Sequence, residues 1–227
     1  MDKIKLMIKK LIALGLFSVS VFSFAQKTEA QSQSKFTIIP SVGYAWRTAK
    51  TASGLSKEEK EYVNGLKSGM NFDISAYYQV NKILSVGLKY SNYSASSDGY
   101  MLGFVNGMPV SVPVTTKDNI NFYGPAVMIS NFSEATRHKM FVDMGLGVIS
   151  YTTKTANVKG TGSNLGAELN FGYQYQITKN FHIGPKVGLT AGTLNKMKID
   201  GVTYDFGEDQ KEGLARVSLS AAAAFRF

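Results

Sequence analysis

Seven charged residues share one setting. Arg47, Asp73, Lys89, Asp143, Glu168, Lys186 and Arg216 each stand among small or polar residues on one parity of a segment whose other parity is apolar. If that polar parity faces an interior, these groups must pair, because an isolated ion in a low-dielectric space is costly. A paired network admits two readings: a gate or selectivity filter that passes ions, or a plug that holds an interior closed. Counting along the segments puts Asp73 and Lys89 at similar depth, with Asp143 and Lys186 near that level across the interior and Glu168, Arg216 and Arg47 higher. Little else points to chemistry. The chain has two histidines, His138 and His182, no Gly-x-Ser-x-Gly, no metal-ligand spacing and no cysteine. Neither a thiolate nor a Cys-ligated metal is available, and no catalytic residue, metal or cofactor is expected.

The elements that position these charges are strands of period two. Phe36, Ile38, Pro40, Val42, Tyr44 and Trp46 alternate with Lys35, Thr37, Ser41, Gly43 and Arg47. Met70, Phe72, Ile74, Ala76, Tyr78 and Val80 alternate with Asn71, Asp73, Ser75, Tyr77 and Gln79, and only Asn81-Lys82 separates them from Leu84, Val86, Leu88 and Tyr90. Further strands are predicted from Asn119 to Ser130, Lys139 to Thr152, Leu165 to Ile177 and Phe181 to Thr190, and the last from Glu212 to Phe227. The count is eight. Gly124-Pro125 and Gly184-Pro185 interrupt two of them and predict a bulge or kink, because a ladder tolerates Pro poorly. Short turns alternate with longer connections near 48–65, 95–118, 153–163 and 195–211. In the first of these, Ser56–Glu61 is expected as a solvated loop, with one or two helical turns as the alternative.

The polar parity is crowded with Gly43, Ser75, Gly87, Gly145, Gly147, Gly166, Gly172, Gly184 and Gly188, as a narrow lumen requires, whereas the apolar parity carries large aliphatics with aromatics towards strand ends. That is the reverse of a soluble lipocalin-like barrel, whose interior is greasy. Lipid on the outside forces the sheet to close, since an unpaired edge in hydrocarbon costs several kcal/mol per group. The final strand ends on Phe225 and Phe227, alternating with Arg216, Ser218, Ser220 and Arg226. On these residues the chain resembles the small OmpX/OmpA-type outer-membrane barrels and the generic outer-membrane β-barrel domain family, over approximately residues 35–227. The resemblance implies an all-β, eight-stranded antiparallel up-and-down transmembrane barrel, with Phe225 and Phe227 read by the barrel assembly machinery. It also raises lipid A-modifying barrels, which use an outer-rim His; His138 and His182 both begin upward strands at the opposite end, as polar residues at interfacial turns. An OmpW-like barrel that passes small hydrophobic molecules stays open.

Residues 1–25 read as a secretory leader: Lys3, Lys5, Lys9 and Lys10, an apolar run from Leu11 to Phe24, and cleavage between Ala25 and Gln26. Residues 26–34 form a polar segment, and 35–227 the barrel. The net charge of +9 stays positive without the leader, and the expected partners are outer-membrane lipid and the anionic groups of lipopolysaccharide, not nucleic acid. One outer connection is apolar. Tyr100, Met101, Leu102, Phe104, Val105, Asn106, Gly107, Met108 and Val110 form a candidate interaction hairpin turned by Asn106-Gly107. It is expected either to project towards an extracellular protein or surface polymer or to fold over the mouth as a lid. The function expected is a non-enzymatic barrel that stabilises the outer membrane or presents loops for adhesion; the alternative is a narrow porin-like channel.

Overall fold

The structure is a computed structural model that describes residues 34–49, 51, 54–105, 108–207 and 211–227, with backbone alone at 101–105. The expected leader, its Ala25–Gln26 cleavage position and the polar segment up to residue 33 lie outside the described residues, as do Asn106, Gly107 and the side chains of Met101, Leu102, Phe104 and Val105.

Among the described residues the strands are β1 (Phe36–Arg47), β2 (Ser68–Gln79), β3 (Leu84–Val105), β4 (Met108–Ser130), β5 (His138–Thr155), β6 (Val158–Thr178), β7 (Phe181–Leu194), β8 (Lys196–Ile199), β9 (Val202–Asp205), β10 (Glu212–Gly213) and β11 (Arg216–Arg226), with one helix, α1 (Lys57–Leu66). Eight of them, β1 to β7 and β11, pair antiparallel in sequence order, and β11 closes on β1. Closure gives every wall strand a neighbour on both sides, so no edge meets lipid. Because side chains alternate, each register puts one parity outside: Val42, Phe72, Leu88, Val127, Met144, Phe171, Val187 and Leu219 are exposed, while Ser41, Asp73, Lys89, Met128, Asp143, Asn170, Lys186 and Ser218 are buried. Aromatics sit at both ends of the apolar band, with Phe36 on Tyr78 and Phe181 on Phe225 near the short turns and Tyr44 on Trp46 towards the long loops.

Of the bulge or kink expected at each Gly-Pro pair, the bulge does not form. Beside Pro125 the β4–β5 ladder lapses between Tyr123↔Val148 and Ala126↔Gly145, and beside Pro185 the β6–β7 ladder lapses between Gly172↔Lys186 and Tyr175↔Ile183. No residue is inserted in either lapse, and the opposite ladders run through them at Leu88↔Pro125 and Ala221↔Pro185. Pro has no N–H, so each turns its blank edge to one neighbour and costs one stretch of one ladder. A Cβ on Gly124 or Gly184 would strike the backbone of the adjoining strand, so the glycine beside each proline permits close approach there. The register shift that does occur lies between Gln176 and Thr178.

The outer connections carry more structure than expected. Ser56 caps α1 by accepting from the Glu59 N–H at 3.1 Å while Glu59 accepts from the Ser56 N–H at 2.8 Å, a capping box that makes a helix of the expected loop. The connection 153–163 is strand up to the two-residue turn Ala156-Asn157, with Ala156 at φ 51°. Within 195–211, β8 and β9 form a hairpin turned by Asp200-Gly201, both at positive φ. At the opposite end the first turn is Val80–Ile83, held by Asn81 Oδ1, which accepts from the N–H groups of Ile83 and Leu84 at 3.0 and 2.9 Å.

Candidate functional site

The lumen is stacked in layers. Nearest the short turns lies an apolar cluster of Ile39, Tyr77, Ala126, Met128, Phe132, Phe141, Ala222 and Ala224. Nearest the long loops lies a second, including Tyr93, Ile120, Phe122, Ile149, Leu194 and Leu214. Between them the strands deliver six of the seven anticipated charges to one buried network. Lys186 Nζ donates to Asp73 Oδ2 at 2.8 Å, and Ser41 and Asn71 donate to that same oxygen at 2.9 and 2.8 Å. Lys89 pairs with Asp143 and lies 3.4 Å from Glu168. Asn170 Nδ2 bridges Asp143 and Glu168 at 3.0 and 3.2 Å. Glu168 also accepts from Ser91 at 2.5 Å and Thr190 at 3.3 Å, and Arg216 lies 3.8 Å from it while donating to Ser91 at 2.8 Å.

The pairing differs from the depth count. Asp73 and Lys89, on neighbouring strands, take different partners: Asp73 reaches across to Lys186, and Lys89 to β5 and β6. Strand tilt explains this, since in a closed barrel the groups at one height are displaced along neighbouring strands. Arg47 stands apart, against the outer apolar layer. It pairs with Glu212 and with Asp118 at 3.3 Å, donates to the Gly213 carbonyl at 2.8 Å, and lies over the Tyr151 ring, whose hydroxyl donates to Asp118 at 2.9 Å. Asp118 escapes a sequence reading that starts β4 at Asn119, although its even parity matches the buried Ile120 and Phe122. Ser41, Asn71, Ser91, Asn170 and Thr190 carry no charge to draw attention, and parity alone marks them as inward.

The two histidines differ. His138 begins β5 at the surface, its Nδ1 2.7 Å from the Tyr173 hydroxyl. His182 is not at an interfacial turn as expected: it is wholly buried in the lumen, with its ring against Phe132.

At the other end, β3 and β4 run unbroken beyond the wall as a hairpin, paired up to Val105↔Met108. Its lower inner face is covered by α1: Tyr62 bonds Thr116 Oγ1 at 2.5 Å, and a Cβ on Gly99 would meet the Tyr62 ring. Towards the tip, Met108, Val110, Val112 and Val114 share the inner face, with Met108 and Val112 exposed, and Tyr100 stands exposed on the outer face. Pro109 and Pro113 share the parity of Pro125, which turns its blank edge away from β3, so they do the same along the edge that β5 leaves uncovered. In the β8–β9 hairpin, beyond β5 and β6, the Gly207 N–H at 3.1 Å and then Lys196 hold the Asp205 carboxyl below the usual carboxylate range. Below the tips, Lys117↔Lys154↔Lys159 form one outward row across β4, β5 and β6.

Comparison with known proteins gives a consistent fold. The structure is similar to Neisserial surface protein A, with 15% identity and a TM-score of 0.51 over 85% of this chain and 97% of that one. It is also similar to a major outer membrane protein from Thermus thermophilus, with 12% identity and a TM-score of 0.51 over 86% of this chain and all of the other. No curated protein matches the sequence. The family model described as "Outer membrane protein beta-barrel domain" matches residues 11–207. With an eight-stranded closed wall, an apolar exterior and that match, the chain belongs to the outer membrane protein beta-barrel domain family.

Proposed function

We propose that this protein is a closed-lumen surface barrel, without catalytic activity, that braces the outer leaflet and presents its outer hairpins to a partner. The observation that carries the reading is the filled lumen: a charge-balanced ionic layer lies between two apolar layers, with Phe132 and Phe141 stacked edge to face at 5.9 Å in the inner one. A conducting path would have to break buried ion pairs and displace aromatic side chains together.

Outside, the lysine row gives the barrel an anionic neighbour. Like charges directly opposite in a sheet repel, so Lys117, Lys154 and Lys159 favour a bound polyanion. The row stands six residues above Tyr123, the last aromatic of β4 on the lipid face, which is roughly 20 Å along the strand and about 15 Å along the membrane normal at the usual tilt of ~40°. That height suits the phosphates and acidic sugars of lipopolysaccharide. Above it, the apolar inner face of the β3–β4 hairpin suits a protein or surface polymer.

Conductance in planar bilayers tests the closed lumen: a folded, silent barrel is expected, and reproducible discrete openings would replace this reading with a narrow channel. Deleting Tyr100–Val114 tests the hairpin. The barrel should still fold while cell-surface binding is lost; unchanged adhesion would remove the hairpin from the function.

A further inference from the structure

The mid-lumen ions are matched, three cations against three carboxylates, but two other buried cations are not. Lys139 on β5 is 2% exposed and Arg226 on β11 is 8% exposed. Both charged groups donate to one oxygen, the carbonyl of Phe132, Lys139 Nζ at 3.2 Å and Arg226 Nη1 at 2.6 Å. Lys139 also donates to the Glu134 carbonyl at 2.6 Å, and Arg226 Nη2 to the Ser34 carbonyl at 3.3 Å and Gln79 Oε1 at 3.1 Å. Among the described residues neither forms an ion pair, and the carboxylate of Glu134, exposed at the turn, acts on Lys139 only at longer range. The cations are thus solvated by neutral dipoles while most of their mutual repulsion stays uncompensated.

Two wholly buried neutral side chains complete the cluster. Gln174 is directly opposite Lys139 in the β5–β6 ladder, and His182 lies across the next ladder, opposite Gln176. Among the described residues, no group bonds either nitrogen of the His182 ring, either polar atom of the Gln174 amide, or Arg226 Nε. Buried polar groups of this kind require partners. The His182 ring lies 5.3 Å from that of Phe132, and Arg226 and Lys139 are both within electrostatic reach of it. The amide nitrogen, one imidazole N–H and the guanidinium Nε–H are donors, in a positive and enclosed space with no acid paired to it.

We infer that the inner end of the lumen binds a small inorganic anion, a halide, between Lys139, Arg226, His182 and Gln174. A bound halide offsets the two adjacent, unmatched cations and accepts from donors that no described residue bonds. Enclosure selects its size. Phe132, 3% exposed, and Phe141, 1% exposed, shut this end of the lumen off from solvent, which favours a small anion over an organic acid.

The test compares thermal unfolding of the folded protein in detergent with chloride or with gluconate, at equal ionic strength and pH. The midpoint of the wild type should fall by several degrees in gluconate. Lys139→Met should show no dependence on the anion and in gluconate should match or exceed the wild type, because it relieves the repulsion that the halide otherwise neutralises. An identical wild-type midpoint in the two salts would overturn the proposal, as would equal destabilisation of Lys139→Met in both. Crystals grown with bromide give a measurement independent of the variant's folding. An anomalous peak within hydrogen-bonding distance of Lys139 Nζ and the His182 ring supports the site; its absence overturns it and assigns the free donors to water.

Discussion

The middle and the inner end of the lumen solve one problem in two ways. In the middle, Lys89, Lys186 and Arg216 face Asp73, Asp143 and Glu168, and amide and hydroxyl groups fill the remaining oxygen positions. At the inner end, Lys139 and Arg226 bond, among the described residues, only carbonyl and amide oxygens. The middle is charge-balanced, so its charges lock the wall from strand to strand. The inner end is charge-unbalanced, so its stability depends on what else enters. A buried charge in a narrow barrel is a fixed cost, and the identity of the compensating group decides whether it acts as a clamp or as a binding site.

The largest effect should come from breaking the clamp. Glu168→Ala leaves Lys89 and Arg216 facing each other without their shared acid, and a loss of about 3–5 kcal/mol is expected from removing one partner of a buried pair, read from urea unfolding in lipid vesicles. A second experiment sharpens the comparison: Asp73→Asn and Lys186→Met should each destabilise, whereas the double variant should recover about 2 kcal/mol of the summed loss. Simple additivity would mean that the pair does not couple. Packing is the next step down. A Cβ on Gly172 would meet the Phe141 ring, so Gly172→Ala should cost about 1–3 kcal/mol by overpacking, visible as a lower thermal midpoint on a gel that separates folded from unfolded barrel. The smallest effect lies outside the lumen. Ser56→Ala removes the cap of α1, worth ~1 kcal/mol locally, and should speed amide exchange in Lys57–Leu66 while the barrel midpoint stays unchanged.

Much of this arrangement is legible in single residues. Asp73, Lys89, Asp143, Glu168, Lys186 and Arg216 can be picked out because a two-residue period leaves a charged side chain only two directions, and the opposite parity is plainly apolar. Lys139 is harder to place, because it opens its strand after a polar turn and looks like an interfacial charge. Ala156 gives no turn signal, because an alanine at positive φ breaks the usual preference for Gly or Asn, and so a hairpin reads as a loop. The capping box Ser56–Glu59 is present in the sequence, yet its helix depends on Tyr62 finding Thr116 and on Gly99 leaving room for the ring.

By itself the sequence determined the faces. Alternation, small residues on one parity and aromatics at the ends of the other follow from backbone geometry, and with them came eight strands, closure and the inward direction of each charge. Only the tertiary structure decided the partners. Which cation meets which acid depends on the stagger between strands, set by ladder registers such as Asp73↔Ser91 and Gly172↔Lys186, and no single strand contains that stagger. For the same reason the unmatched pair at the inner end emerges only on closure, when β5 and β11, distant in sequence, bring Lys139 and Arg226 to one carbonyl oxygen.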